Sequence, residues 1–119
     1  MYASVAAATE TIGQALAGVV GVRYYRQLGG ALDPPATVLP PPRLSWGGYG
    51  SDPTEAVFTV GLIVDRTDRV VDQLETLLPL VTAALDALTD VAVTSADLGS
   101  YPAGGVELPA YLITLEVAL

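Results

Sequence analysis

No cysteine, histidine, lysine or asparagine occurs in the 119 residues, and each absence removes a class of chemistry. Without His or Cys there is neither a Ser–His nor a Cys–His nucleophile pair, and no ordinary zinc site. Without Lys there is no Schiff base, Ser–Lys dyad or phosphate-loop lysine. The lack of Cys removes any disulfide, so the redox compartment leaves no mark on the sequence. The groups that normally supply a base near neutral pH are missing, so the chain is expected not to be an enzyme. No catalytic residue, cofactor or metal ion is assigned to it.

Cations are scarce as well. Five arginines stand against thirteen acidic residues, for a net charge of −8. That balance opposes a chain that grips nucleic-acid phosphates, but not one that DNA passes nearby. Long apolar runs are also lacking: none approaches the roughly 20 residues needed to cross a bilayer. The stretch Met1–Val22 is apolar enough to suggest a signal peptide, but it has no basic start and carries Glu10 and Gln14 where the apolar region would be, so no targeting role is expected.

What is present points to one domain, residues 1–119, able to bury roughly two-thirds of its unfolded surface. Apolar residues make up 51% of it and the mean hydropathy is +0.49, a surplus that suggests oligomerisation. Five of the nine prolines fall between Pro34 and Pro42. Each fixes φ and removes a backbone donor, so the tract is expected to be neither a helix nor a central strand. It reads as a stiff arm or loop at about residues 33–46. Stiff segments lose little entropy on docking, which makes Pro34, Pro35, Pro40, Pro41 and Pro42 candidates for a subunit interface; a rigid surface loop is the competing reading.

Periodicity supplies the elements. Val5, Ala8, Ile12, Leu16 and Val19 recur at helical spacing, with Gly21 placed to end the helix. Val22–Gln27 favours a strand with Val22 and Tyr24 on one face and Arg23 and Tyr25 on the other, broken by Gly29 and Gly30. Arg43–Trp46 reads as a short strand and Gly47–Pro53 as a loop. In Ala56–Val64, residues Phe58, Val60, Leu62 and Val64 share a face that should pack on helices. Thr67 or Asp68 is placed to cap a second helix reaching about Leu88, in which Pro79 should kink or restart the helix. Val91–Ala96 reads as a strand, Gly99–Gly105 as a turn, and Tyr111–Val117 as a last alternating strand. The expected fold is α+β: an antiparallel or mixed sheet of four to five strands with two amphipathic helices packed on one face.

Three constellations remain. Asp65, Asp68 and Asp72, interleaved with Arg66 and Arg69, resemble an oxygen-rich cation site, but acids in a first helical turn and exposed ion pairs explain them better. Gly47-Gly48-Tyr49-Gly50 has the glycines of a phosphate loop without the Gly-Lys-Ser/Thr that would follow. Arg23, Tyr25 and Arg43 form a candidate interface patch if their strands are neighbours. Trp46 is placed to anchor the proline tract to its own domain or to another subunit, and Tyr49 lies in the loop beyond it.

The ordered pattern resembles a known family. An Ala-rich helix ending in Gly21-Val22-Arg23-Tyr24-Tyr25, the Pro34-Pro35-Ala36 step, the Phe58–Val64 strand, a Leu-rich second helix and a closing pair of strands look like the tail terminator proteins of long-tailed phages, especially those of actinobacteria. The missing Lys and Asn, both encoded by AT-rich codons, suggest a GC-rich genome that fits such a host. The resemblance implies a small α+β virion subunit, assembled in the host cytoplasm into a homohexameric ring on the tail tube. That ring would end tube growth and join the tail to the head connector, with DNA passing through its lumen unbound and no membrane involved. The expected partners are other copies, the major tail tube protein, and connector or stopper proteins. The Gly29–Leu32 spacer, the Pro40–Pro42 run and Pro79 depart from the pattern, so another neck protein, an adaptor or stopper, stays open. So does a non-viral ligand-binding domain using the region near Trp46 and Tyr49.

Overall fold

A computed structural model describes residues 2–26 and 32–119 of the chain. Helix α1 (Val5–Ala17) starts at Ser4, whose Oγ accepts the Ala7 N–H at 3.1 Å and satisfies one of the free amides of the first turn. Ala8, Ile12 and Leu16, four residues apart, are fully buried along one face. The helix stops at Gly18, earlier than Gly21. Gly21 serves the turn that follows, at φ +83°, where a Cβ would be strained.

Strands β1 (Arg23–Tyr25), β2 (Ala36–Val38), β3 (Arg43–Ser45) and β4 (Glu55–Ile63) follow, then α2 (Val70–Asp86), β5 (Val91–Ala103) and β6 (Val106–Ala118). They form one open sheet of order β1-β2-β4-β6-β5, in which β1 and β2 run parallel and the other pairs antiparallel. β6 accompanies β4 over its whole length, so β2 and β3 share the other side of β4, one at each end. The fold is α+β with two helices and a mixed sheet, as expected, but the sheet has six strands rather than four or five.

The additional strand comes from the proline tract. Ala36, Thr37 and Val38 all keep their N–H groups and pair with β1 on one side and β4 on the other, and all three are fully buried. The expectation that the tract excludes a central strand therefore fails: the prolines sit outside these three positions. Gln27, Gly29 and Gly30, expected to end and break the first strand, lie outside the described residues.

The β5–β6 hairpin also differs from expectation. The turn is only Gly104-Gly105, with φ of +57° and +84°, the left-handed pair a two-residue hairpin requires. Both strands run thirteen residues to meet it, so Gly99–Ala103 is strand rather than turn. Because β4 ends opposite Ala110, the last part of the hairpin extends past its neighbour.

One face of the sheet carries Tyr24, Phe58, Val60, Leu62, Ile113, Leu115 and Val117 against both helices, and this is the main core. The other face has no helix. It carries a smaller cluster of Val38, Ile63 and Ala110 with Tyr25, Leu32, Tyr101 and Leu108 packed on it. Helix α2 starts at Arg69 without a side-chain cap; Thr67 instead accepts the Arg69 N–H through its Oγ1 at 3.2 Å. It runs through Pro79 to Asp86 without a restart and ends short of Leu88. Pro79 is exposed, and its missing donor leaves the Glu75 carbonyl without its helical bond.

Candidate functional site

The tract expected to be an arm is divided among three tasks. Its first part is fastened to β1: Arg23 N–H donates to the Pro35 carbonyl at 3.0 Å, and Asp33 N–H donates to the Tyr25 hydroxyl at 3.2 Å. Arg23 Nη1 reaches Asp33 Oδ2 at 3.2 Å, an exposed ion pair of small energetic weight. Its middle is β2. Its last part, Pro40–Pro42, carries the chain from β2 to β3, with Pro41 exposed and Pro40 and Pro42 half-buried.

Arg23, Tyr25 and Arg43 share the helix-free face, because their partners Ala36, Val38 and Val57 lie on it. They do not form a single patch. β1 and β3 are not paired, and Arg43 stands opposite Val57 while Tyr25 is in the row of Gly61, four residues further along β4. Trp46 is half exposed and its Nε1 donates to the Ser51 carbonyl at 3.2 Å, a bond that closes its own loop. Tyr49 at the loop's tip is fully exposed. Neither lines any of the larger hollows among the described residues.

The most developed concavity is elsewhere. A groove of about 690 Å³ runs between the outer side of α1 and the β1 edge. Val5, Ala6, Gly13 and Ala17 form its helical wall, Tyr24 its floor, and Pro41 and Pro42 the opposite wall, with Arg26 and Glu10 as its charged groups. Small helix residues make it possible: α1 approaches β1 closely enough that the Tyr24 hydroxyl sits over Gly13. Burial raises the Tyr24 pKa above the ordinary tyrosine value, partly offset by the Arg26 guanidinium. Arg26 is held by donating from Nη1 to the Leu39 carbonyl at 2.9 Å.

Pro41 and Pro42, named from the sequence as interface candidates, line this groove, whereas Tyr24, Arg26 and the α1 wall were not among the candidates. The alternation of the strand places Tyr24 with Val22 on one face and assigns it nothing more. The small residues at 6, 13 and 17, on the side of α1 away from Ile12 and Leu16, were the available signal.

The Asp65–Asp72 segment holds no ion pair with Arg66 or Arg69; Arg66 Nη2 donates instead to the Glu107 carbonyl at 2.7 Å, tying the start of α2 to the hairpin. Among the described residues no group of three acids is placed to hold a metal ion, and no helix is long and apolar enough to cross a membrane. The site thus offers shape, apolar surface, one cation and one carboxylate, which suits docking of another surface. No protein-family model matches this sequence, and no curated protein matches it.

Proposed function

We propose that the chain is a structural virion subunit of the tail terminator type, closing the tube of a long-tailed phage as a ring and joining it to the head connector. The observation that carries the reading is the two-sided sheet. Both helices lie on one face, while the other presents Glu55, Thr59, Ser95, Asp97 and Glu116 to solvent. Repeated around an axis with the helices outward, that face lines a channel with these polar and acidic side chains, whose three carboxylates stand beside two exposed arginines on the same face, Arg23, ion-paired with Asp33, and Arg43. Carboxylates repel DNA phosphates over about 10 Å at 0.1 M salt, so a genome slides without sticking. The element order that resembles the family, and a residue inventory without His, Cys or Lys, support the same reading. A homohexamer with the tube protein on one side and connector proteins on the other is the assembly it implies.

The test is polymerisation of a long-tailed phage's major tail protein with and without this chain. Tubes of defined length only in its presence support the reading; tubes of unchanged length distribution reject it. Binding to the connector without any effect on tubes moves the assignment to an adaptor or stopper.

A further inference from the structure

β5 ends the strand order, and its outer side has no neighbouring strand among the described residues. Which of its backbone groups face outward follows from β6. Ala118 N–H donates to the Asp90 carbonyl at 3.3 Å and Val64 N–H to the Pro109 carbonyl at 3.1 Å, so even-numbered β6 residues turn their backbone groups to β5 and odd-numbered ones to β4. Ser95, Asp97, Gly99 and Tyr101, opposite Thr114, Leu112, Ala110 and Leu108, therefore bond inward. Ala96, Leu98 and Ser100 turn both N–H and C=O outward, and Pro102 has only a carbonyl to offer.

Open edges invite pairing, and folded chains blunt them with bulges, prolines and charges. β5 carries such a device at each end, the irregularity between Val93 and Ser95 and the imide of Pro102. The window between them, from Ser95 to Tyr101, has neither, and its single charge is Asp97. On the helix-bearing face Ala96 packs on the core and Leu98 is 67% exposed. Beyond the bulge on that face, a hollow of about 220 Å³ separates Val93 from α2, walled by Pro79, Thr82, Ala83 and Asp86. On the helix-free face Asp97 is exposed and meets no cation among the described residues.

Charge selects the occupant. From Val70 to Leu119, which includes α2, β5 and β6, there are seven acidic residues and no cation. Arg66, which reaches the hairpin, does so from the β4 side at the Glu107 carbonyl. Asp86 is the last residue of α2, where the helix dipole disfavours a carboxylate and no basic residue stands in the last turn. The open window is thus flanked by unpaired acid on both faces, Asp86 on one and Asp97 on the other. A second β5 edge would bring the same acids together. The opposite edge, β1, offers three residues, and its Arg23 is already paired with Asp33.

We propose that the β5 edge is a docking site for a basic, extended segment of a different protein, which adds a strand beside Ser95–Tyr101. Its backbone pairs with Ala96, Leu98 and Ser100. Its apolar side chains lie over Leu98 and in the hollow at Val93, and a Lys or Arg on its other face stands beside Asp97. The inference goes beyond the tail reading and stands without it, because the occupant is not another copy.

The probe is an acetylated, amidated peptide of alternating Val and Lys, added to the full chain at low salt and followed by amide hydrogen exchange in NMR. In the free chain Ala96, Leu98 and Ser100 are expected to exchange fast and Asp97 and Gly99 slowly; the peptide is expected to slow the first three. A peptide with Glu for Lys is expected to bind about tenfold more weakly or worse. Of two further peptides, methylated on the Val or on the Lys backbone nitrogens, one is expected to lose binding by about tenfold or more, since only one set faces β5. Asp97→Asn and Leu98→Thr are each expected to weaken binding about two- to fourfold with melting unchanged, both positions being exposed. The inference is overturned if the Lys peptide does not bind, if both methylated peptides bind as well as it does, which is adsorption to an acidic surface without a strand, or if the slowed amides lie away from β5. Slow exchange at Ala96, Leu98 and Ser100 that sets in with protein concentration alone makes a second copy the occupant and overturns it as well. Binding at this edge by a chain that leaves tail tubes uncapped keeps the inference and sinks the tail reading.

Discussion

The Tyr24 hydroxyl oxygen stands 2.6 Å from the point a Cβ on Gly13 would occupy, with Cζ at 3.1 Å. Replacing a mid-helix Gly with Ala ordinarily gains about 1 kcal/mol, whereas overpacking costs about 1–3 kcal/mol. Here the clash should win. Gly13→Ala is expected to lower stability by about 1 kcal/mol, and to be nearly neutral in a Tyr24→Phe background. Urea unfolding of the four chains in the cycle measures the coupling.

The raised Tyr24 pKa gives a pH dependence with a definite sign. Burial, only partly offset by Arg26, makes the folded chain keep the phenol proton to higher pH than the unfolded chain. Once pH passes the ordinary tyrosine value of about 10, the unfolded state binds fewer protons, so stability falls until the folded group also titrates. Tyr24→Phe should show a shallower alkaline loss between about pH 9 and pH 11, read from urea midpoints.

Thr37 is fully buried in β2 and its Oγ1 has no hydrogen-bond partner. An unsatisfied buried hydroxyl costs about 1–3 kcal/mol, and valine has nearly the same outline. Thr37→Val is expected to raise stability by about 1 kcal/mol in chemical denaturation.

Pro79 interrupts the bonding of α2 from an exposed position. Proline inside a helix is about 3 kcal/mol worse than alanine. Pro79→Ala is expected to stabilise the chain by about 1–3 kcal/mol, visible as a higher melting temperature.

Local patterns carried the elements whose burial is one-sided. Ile12 and Leu16 in α1, Leu74, Val81 and Leu85 in α2, and Phe58, Val60 and Leu62 in β4 all bury the face their spacing indicates. The proline tract was misread because three intervening residues suffice for a strand when neighbours lie on both sides, and those neighbours are distant in sequence. The outer half of β5 was misread because Gly99 and Pro102 signal a turn. In the sheet the Leu112 Cδ1 lies 3.3 Å from where a Cβ on Gly99 would stand, so the missing side chain gives Leu112 room. The groove depends on α1 packing on β1 and on the β2–β3 connection passing alongside, a three-way placement with no local signature. Strand alternation places Arg23 and Tyr25 on one face, but the separation of Arg43 from them along β4 is set by pairing that the sequence does not display.

The most direct test of the account is electron microscopy of tail tubes, assembled from the major tail protein of a long-tailed phage, after incubation with this chain. The account predicts a single ring at one end of each tube, with the helices outward and the polar face toward the lumen. Bare tube ends, or protein scattered along the tube wall, would contradict it.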